Sequence, residues 1–297
     1  MDELYNLLDE DHYLNSNFCK YSKIYTMTTE NIYEFINHYN LENKDVLTVM
    51  GSGDHALNSY LLGAKTVTCF DINPLAQIMY DLKRNIILNY DLNDFLDFFD
   101  IKNYDYISNI DKFDKNIIKE LKNKLNNNTY EFFNYFYTHR MYFDDIFYHF
   151  NYDLNTLSNM NGYLNEDSYD YLKDILNNKD INFIESNIID LKNKLLNKKY
   201  DLILLSNISD YIYMIYPNNS LNNYYNLIMD LVDNLNNYGI IEVGYLYAHN
   251  HRHPDDFNSD IDRNKIFTTD KFHSVLVKSF DDLSKKDKII TYQKIKY

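Results

Sequence analysis

Glycine is scarce in this chain, six residues in 297, and half of it falls within thirteen positions, at Gly51, Gly53 and Gly63. The surrounding run reads as a buried strand, Asp45 to Met50, then a Gly-Ser-Gly turn and a helix from about His55 to Leu62 that stops at Gly63. A second strand follows from Thr66 to Phe70, with Asp71 at its tip. The first strand is almost continuously apolar, as in a parallel strand covered on both faces. A glycine turn between strand and helix permits backbone conformations that a side chain forbids, and it lets a ligand lie against the main chain. Asp71 comes eighteen residues after Gly53, about where an acidic side chain grips ribose hydroxyls in a nucleotide-binding βαβ unit.

The same alternation extends beyond this unit. Residues 1–40 read as an acidic N-terminal helical segment, including an amphipathic run at Ile32, Phe35, Ile36 and Tyr39. Residues 41–297 read as one α/β domain. Pro74 suits the first turn of a helix running to about Leu88. Further strands are expected at 182–186, 201–205 and 238–246, a helix at 221–235, and two late strands at 274–280 and 288–296 that could form an antiparallel edge. Residues 91–180 interrupt the alternation with helical spacing and a single glycine, Gly162, and read as a helical cap inserted into the core. Their Asn runs would suit disorder, but their many aromatics argue for burial. The fold class is α/β, a doubly wound sheet.

Composition narrows the partners. A formal charge of −15 repels a continuous polyanion, and the lysines at 192–199 and 285–288 form short, interrupted clusters. Nucleic acid is therefore disfavoured. Two cysteines, Cys19 and Cys69, are too few for a disulfide framework. Residues 1–12 carry five acidic groups and no lysine or arginine, unlike a signal peptide, and no stretch approaches a membrane span. A cytoplasmic location is the expectation.

Three details favour S-adenosylmethionine (SAM) over a dinucleotide. No third glycine stands where a pyrophosphate would need it. Asp54 beside the helix start would oppose a pyrophosphate and suit the ammonium or sulfonium end of SAM. The two late strands suit the reversed last strand of a SAM-dependent fold. Gly51, Ser52 and Gly53 would line the sulfonium and ribose, and Asp71 would accept from the ribose hydroxyls or cap the next helix. Asn73 would cap that helix or flank the adenine with Ile72, and Asn187 and Ile188 would hold the adenine. Ser206, Asn207 and Asp210 follow the fourth strand, at the carboxyl end where an α/β sheet places its chemistry. Asp210 is the first choice to orient or deprotonate a nucleophile. His249, His251 and His253 alternate on an extended segment, but a polar loop is the better reading and no metal is assigned. Arg140 and Tyr25 are weaker candidates for contacts with the ligand.

The runs Ser52-Gly-Asp-His-Ala-Leu57, Asp71-Ile-Asn-Pro74 with Gln77, and Leu205-Ser-Asn-Ile-Ser-Asp210 resemble the bacterial betaine-lipid 3-amino-3-carboxypropyl transferases. The resemblance covers roughly residues 40–90 and 181–246. It implies a Rossmann-like class I methyltransferase fold, SAM as co-substrate, and transfer of the aminocarboxypropyl group with release of methylthioadenosine. Methyl transfer is the alternative, and a non-catalytic SAM-binding protein a third. The resemblance also implies a diacylglycerol acceptor. A strongly acidic chain without a basic amphipathic helix is poorly suited to an anionic bilayer, so a small soluble acceptor, such as an amine, is expected instead.

Overall fold

The computed structural model of the chain describes residues 1–11, 13–14, 19–99, 101, 113–148, 152–216, 218–244, 269–280 and 287–296. The N-terminal part comprises α1 (Asp2–Asp11), β1 (Ile24–Tyr25) and α2 (Ile32–Ile36). The first βαβ unit is β2 (Asp45–Val49), α3 (Asp54–Leu61) and β3 (Thr66–Asp71), followed by α4 (Leu75–Asn89). The inserted segment carries α5 (Leu92–Phe98), α6 (Lys115–Glu120), α7 (Asn127–Thr138), α8 (Phe143–Ile146), β4 (Phe147–Tyr148), α9 (Leu154–Met160) and α10 (Glu166–Leu176). Alternation then resumes with β5 (Asn182–Glu185), α11 (Leu191–Leu195), β6 (Tyr200–Leu204), α12 (Ile208–Ile215), α13 (Ser220–Val232) and β7 (Leu235–Val243). The chain closes with β8 (Phe272–Phe280) and β9 (Asp287–Lys294).

The large sheet has the order β5-β3-β2-β6-β7-β9-β8. Its first five strands pair in parallel, and β9 runs antiparallel to both β7 and β8. The order reverses direction at β2, which has β3 on one side and β6 on the other. In such sheets ligands bind beyond the carboxyl ends of the strands at this switch point.

Alternation along the strands divides the interior in two. Val46, Leu202 and Leu204 face α3, α4 and the inserted helices. Leu47, Ile203, Leu205, Ile241 and Val243 pack with Leu191, Ile212, Ile228 and Leu231 on the other face. Among the described residues the phenylalanines of the insertion are buried, as their density suggested, while Tyr142 and Tyr171 are exposed. Phe113 stacks on Phe98 at 5.0 Å, and Phe133, Phe136 and Phe143 all lie within 7 Å of the Phe147 ring.

One local expectation needs correcting. Residues 1–40 are not helical throughout. The helix ends at Asp11, and Ile24–Tyr25 is extended and pairs in parallel with Phe147–Tyr148. A β-branched and an aromatic residue suit a pleated pair better than a helix, and the Tyr25 and Tyr148 rings lie 4.8 Å apart. This pairing ties the N-terminal segment to the insertion.

Candidate active site

The turn after β2 uses its glycines as backbone devices. Gly51 and Gly53 sit at φ of 51° and 85°, in the left-handed region. A Cβ at Gly53 would meet the Tyr80 Cβ at 3.0 Å, whereas around Gly51 the space is open. The turn therefore packs tightly on α4 at one glycine and leaves main chain accessible at the other. Asp71, at the tip of β3, accepts from the Gly51 amide through Oδ2 and from the Asn73 amide through Oδ1, each at 3.0 Å. Each oxygen keeps a further lone pair, enough for two ribose hydroxyls. Burial pushes the Asp71 carboxyl up to about 6, against the pull of the Asn73 and Gly51 amides.

The neighbours of Asp71 divide between ligand-facing and structural positions. Ile72 is exposed at the rim. Asn73 is buried, its Oδ1 accepting from the Leu75 amide at 3.1 Å and its Nδ2 donating to the Ser22 carbonyl at 2.8 Å. It thus opens α4 and holds the N-terminal segment in place. Asn187 folds over Asp190, accepting from its amide and donating to its carboxylate. Ile188 is buried in the core between the sheet and α11.

Asp54 lies at the first position of α3 with no solvent exposure. Its Oδ1 accepts from Lys83 Nζ and Tyr163 Oη, both at 2.6 Å. Its Oδ2 accepts from the Thr28 amide at 2.6 Å and Ser52 Oγ at 2.7 Å. With four donors present and Lys83 equally buried, both oxygens are saturated within the protein. Asn58, one turn along α3, extends the lock by bonding Asn161 and accepting from the Gly162 amide. A Cβ at Gly162 would fall 2.3 Å from the Tyr33 ring, so a side chain here would push that ring aside.

On the other side of β2 the structure assembles a second group, which the motif reading had only partly anticipated. Ser206 follows β6 at φ of 52°, an uncommon conformation for a residue with a side chain. Its Oγ donates to Glu30 Oε1 and also approaches Asn207 Oδ1 at 3.2 Å. The other Glu30 oxygen, Oε2, is 3.3 Å from His55 Nε2, an ion pair when the imidazole is protonated. Asn207 stands at the N-terminal boundary of α12 without a side-chain capping bond, and that helix also contains Asp210, whose side chain lies outside the described part.

Glu242, on β7, stands behind this pair, 4% exposed and with no hydrogen-bond partner for Oε2. Burial pushes its carboxyl up to about 7; Tyr39 and His55 oppose the shift, and Glu30 adds to it. The buried Tyr39 hydroxyl stands beside it and is the side-chain donor that reaches the Glu242 carboxyl, and burial followed by the Glu242 charge drives this phenol upward. Glu30, His55, Tyr39 and Glu242 were not singled out by motif. A lone carboxylate within Gly239-Ile-Ile-Glu-Val243 was the available signal, since strands buried on both faces rarely carry one.

The remaining candidates stay apart from this site. Arg140 is exposed, and Tyr25 is engaged with Tyr148. The histidines at 249, 251 and 253 lie outside the described residues. Among the described residues no group of three or more His, Cys, Asp or Glu is arranged to hold a metal ion, and no helix is long and apolar enough to cross a membrane.

No family model and no curated protein sequence matches the chain. Solved structures do match in outline. An rRNA methylase from Streptococcus thermophilus is similar over 89% of this chain and 94% of its own, at 8% identity and a TM-score of 0.37. A ribosomal protein L11 methylase from Lactobacillus delbrueckii matches over 90% and 77%, at 10% identity and 0.39. The magnesium protoporphyrin IX methyltransferase of Synechocystis, with bound SAM, matches over 89% and 76%, at 10% identity and 0.40. Likeness at this level says nothing of the acceptor or of the site's chemistry. The strand order, the glycine turn after the central strand and the single reversed strand β9 make this a Rossmann-like, doubly wound α/β fold.

Proposed function

We propose that this protein is a SAM-dependent transferase that moves a 3-amino-3-carboxypropyl group from SAM to a small nucleophilic acceptor and releases methylthioadenosine. The observation that carries the SAM assignment is Asp71. It is held by two backbone amides, retains acceptor capacity on both oxygens, and stands beside an open glycine turn at the sheet's switch point. Asp71 would hold the ribose, the Gly51 backbone would lie under the ligand, and Ile72 would flank the adenine.

A sulfonium carries three carbons, each open to attack, and the carbon lying about 3 Å from the nucleophile and in line with it is the one transferred. Attack on the γ-carbon of the methionine part breaks its bond to sulfur and leaves methylthioadenosine. Attack on the methyl leaves adenosylhomocysteine. The assignment to the γ-carbon is supported by the resemblance of Ser52–Leu57, Asp71–Pro74 and Leu205–Asp210 to the aminocarboxypropyl transferases. The acidic charge of the chain supports a small acceptor over an anionic lipid surface.

Calorimetry with SAM, methylthioadenosine and NAD tests the first step. Binding of both adenosyl compounds is expected, and binding of NAD alone would overturn the assignment. Asp71→Ala should weaken SAM by about 1–3 kcal/mol, because ribose hydroxyls lose a charged acceptor. Incubation with SAM and a cell extract, followed by mass analysis of the nucleoside product, tests the second step. Methylthioadenosine is expected, whereas adenosylhomocysteine would reassign the protein to methyl transfer. Firm SAM binding without turnover would mark a SAM-binding protein that is not an enzyme. Flotation with diacylglycerol vesicles plus a labelled lipid product would replace the small acceptor with a lipid.

A further inference from the structure

We propose that Glu242, Glu30 and His55 form the subsite for the acceptor's nitrogen, and that the acceptor is a primary or secondary amine arriving as an ammonium ion. This rests on the transferase reading above and identifies the class of acceptor.

The sheet order places this subsite. Asp71 ends β3 on one side of β2, while Ser206 follows β6 and Glu242 lies on β7 on the other. Three strand intervals separate β3 from β7, about 14 Å at 4.7–4.9 Å each. A nucleoside gripped at Asp71 and laid across Gly51 thus directs its sulfonium side chain toward the Glu30 group. His55 occupies the first turn of α3, directly after the glycine turn, so imidazole and turn are fixed as one piece.

The charge balance then identifies the guest. Glu30 already has a donor on each oxygen, from Ser206 and His55. Glu242 does not: Oε2 is buried without a partner. Glu242 is on the same face of the sheet as Ile240, Leu204 and Val46, the face covered by α2 and α3, where Glu30, Tyr39 and His55 stand. A buried carboxylate oxygen short of a donor is costly unless something donates to it. Two carboxylates close together, with one orphan oxygen, favour a cation carrying several N–H donors over a neutral hydroxyl or an anion. Lysine and arginine are missing from this group, although Lys83 is spent nearby on Asp54.

The reaction balances with these groups alone. The ammonium N–H proton passes to the Glu242 carboxylate and frees the nitrogen lone pair. That pair attacks the γ-carbon, the carbon–sulfur bond breaks with its electrons going to sulfur, and neutral methylthioadenosine leaves. The new nitrogen–carbon bond carries the positive charge that the sulfonium had. Burial has already brought Glu242 to about 7, so it can take up and release a proton near neutrality. Tyr39, Glu30 and His55 are the ionisable groups that act on it, and His55, hydrogen-bonded to Glu30, serves as a positioning residue.

The test is a two-step titration of the full chain. Methylthioadenosine is added first, then propylamine, with 1-propanol and propionate as neutral and anionic probes. Propylamine should bind the loaded protein at least tenfold more tightly than either control, with release of close to one proton below pH 7, where free Glu242 is protonated, falling to none well above it, when compared across buffers of different ionisation enthalpy. Glu242→Gln and Glu30→Gln should each weaken propylamine at least tenfold while changing methylthioadenosine and SAM affinity less than twofold. His55→Gln should shift the pH dependence of amine binding. Equal binding of propylamine and propanol would overturn the inference. So would a loss of SAM rather than propylamine affinity in Glu242→Gln, since the carboxylates would then hold SAM's own ammonium. Failure of methylthioadenosine to bind in the first step would instead defeat the transferase reading, and the two failures are distinguishable.

Discussion

Asp54 and Glu242 are carboxylates withdrawn from water at the same end of the sheet, and they are treated in opposite ways. Asp54 is answered by an ammonium, two hydroxyls and a backbone amide. Glu242 keeps an orphan oxygen, and burial holds its carboxyl at about 7. A saturated carboxylate fixes the chain around it, and nothing remains for a ligand to bind. An unsaturated one keeps a standing demand for a donor, which a guest can meet. Burial alone does not distinguish a structural acid from a functional one; the count of donors does.

The largest effect should come from unbalancing the saturated site. Lys83→Ala leaves Asp54 buried without its cation and should destabilise the protein by about 3–5 kcal/mol in urea denaturation at pH 7. A loss below about 1 kcal/mol would break the comparison. Tyr163→Phe removes one of four donors and should lower stability by about 1–3 kcal/mol. The same measurement checks it, with SAM affinity of the folded variant expected to stay near that of the unaltered protein.

Asp71 separates ligand grip from stability. In the proposed complex ribose hydroxyls would donate to the ionised carboxylate, whose pKa burial raises to about 6. SAM affinity should therefore be flat above that pH and fall by up to about tenfold per pH unit below it. Calorimetry between pH 5 and 8 reads this, and Asp71→Asn should flatten the profile.

The smallest effect has the opposite sign to the first. Glu242 has a folded pKa raised above its ordinary value, so its stabilising contribution is complete below pH 4.5 and is lost as pH rises through about 7. Glu242→Gln removes that loss. It should match or exceed the unaltered protein by about 1 kcal/mol at pH 8 and flatten the decline between pH 5 and 8. Denaturation midpoints at the two pH values check this. A strong destabilisation at pH 8 would make Glu242 a second Asp54.

What could be read from the sequence was the part built from near neighbours. The β2–turn–α3–β3 unit and its acidic tip are written in the consecutive residues Asp45–Asp71. There, apolar periods, a helix-stopping glycine and turn chemistry all agree. The late strands were legible for the same reason, and β9 does take the reversed position. The second half of the site is assembled across the chain: Ser206 meets Glu30 over 176 residues, and Asp54 meets Tyr163 over 109. Read locally, Asp54 beside a SAM-type turn suggests a ligand contact. Only the fold brings Lys83 beneath it, and a lysine among Asp81, Arg84 and Asn85 on α4 gives no address for its partner.

The lock on Asp54 also has a consequence in time. Its donors come from Thr28, Ser52, Lys83 and Tyr163, so the chain must close loops of 26, 29 and 109 residues around one carboxylate. The entropy of closing the longest exceeds that of the shortest by about 1 kcal/mol. Two of the four donors, the Thr28 amide and the Tyr163 hydroxyl, come from the N-terminal segment and the insertion, so the lock is complete only when both are docked. Strands and helices form earlier along the folding route, as local contacts do. The glycine turn is thereby held in place by residues that lie far from it in the chain.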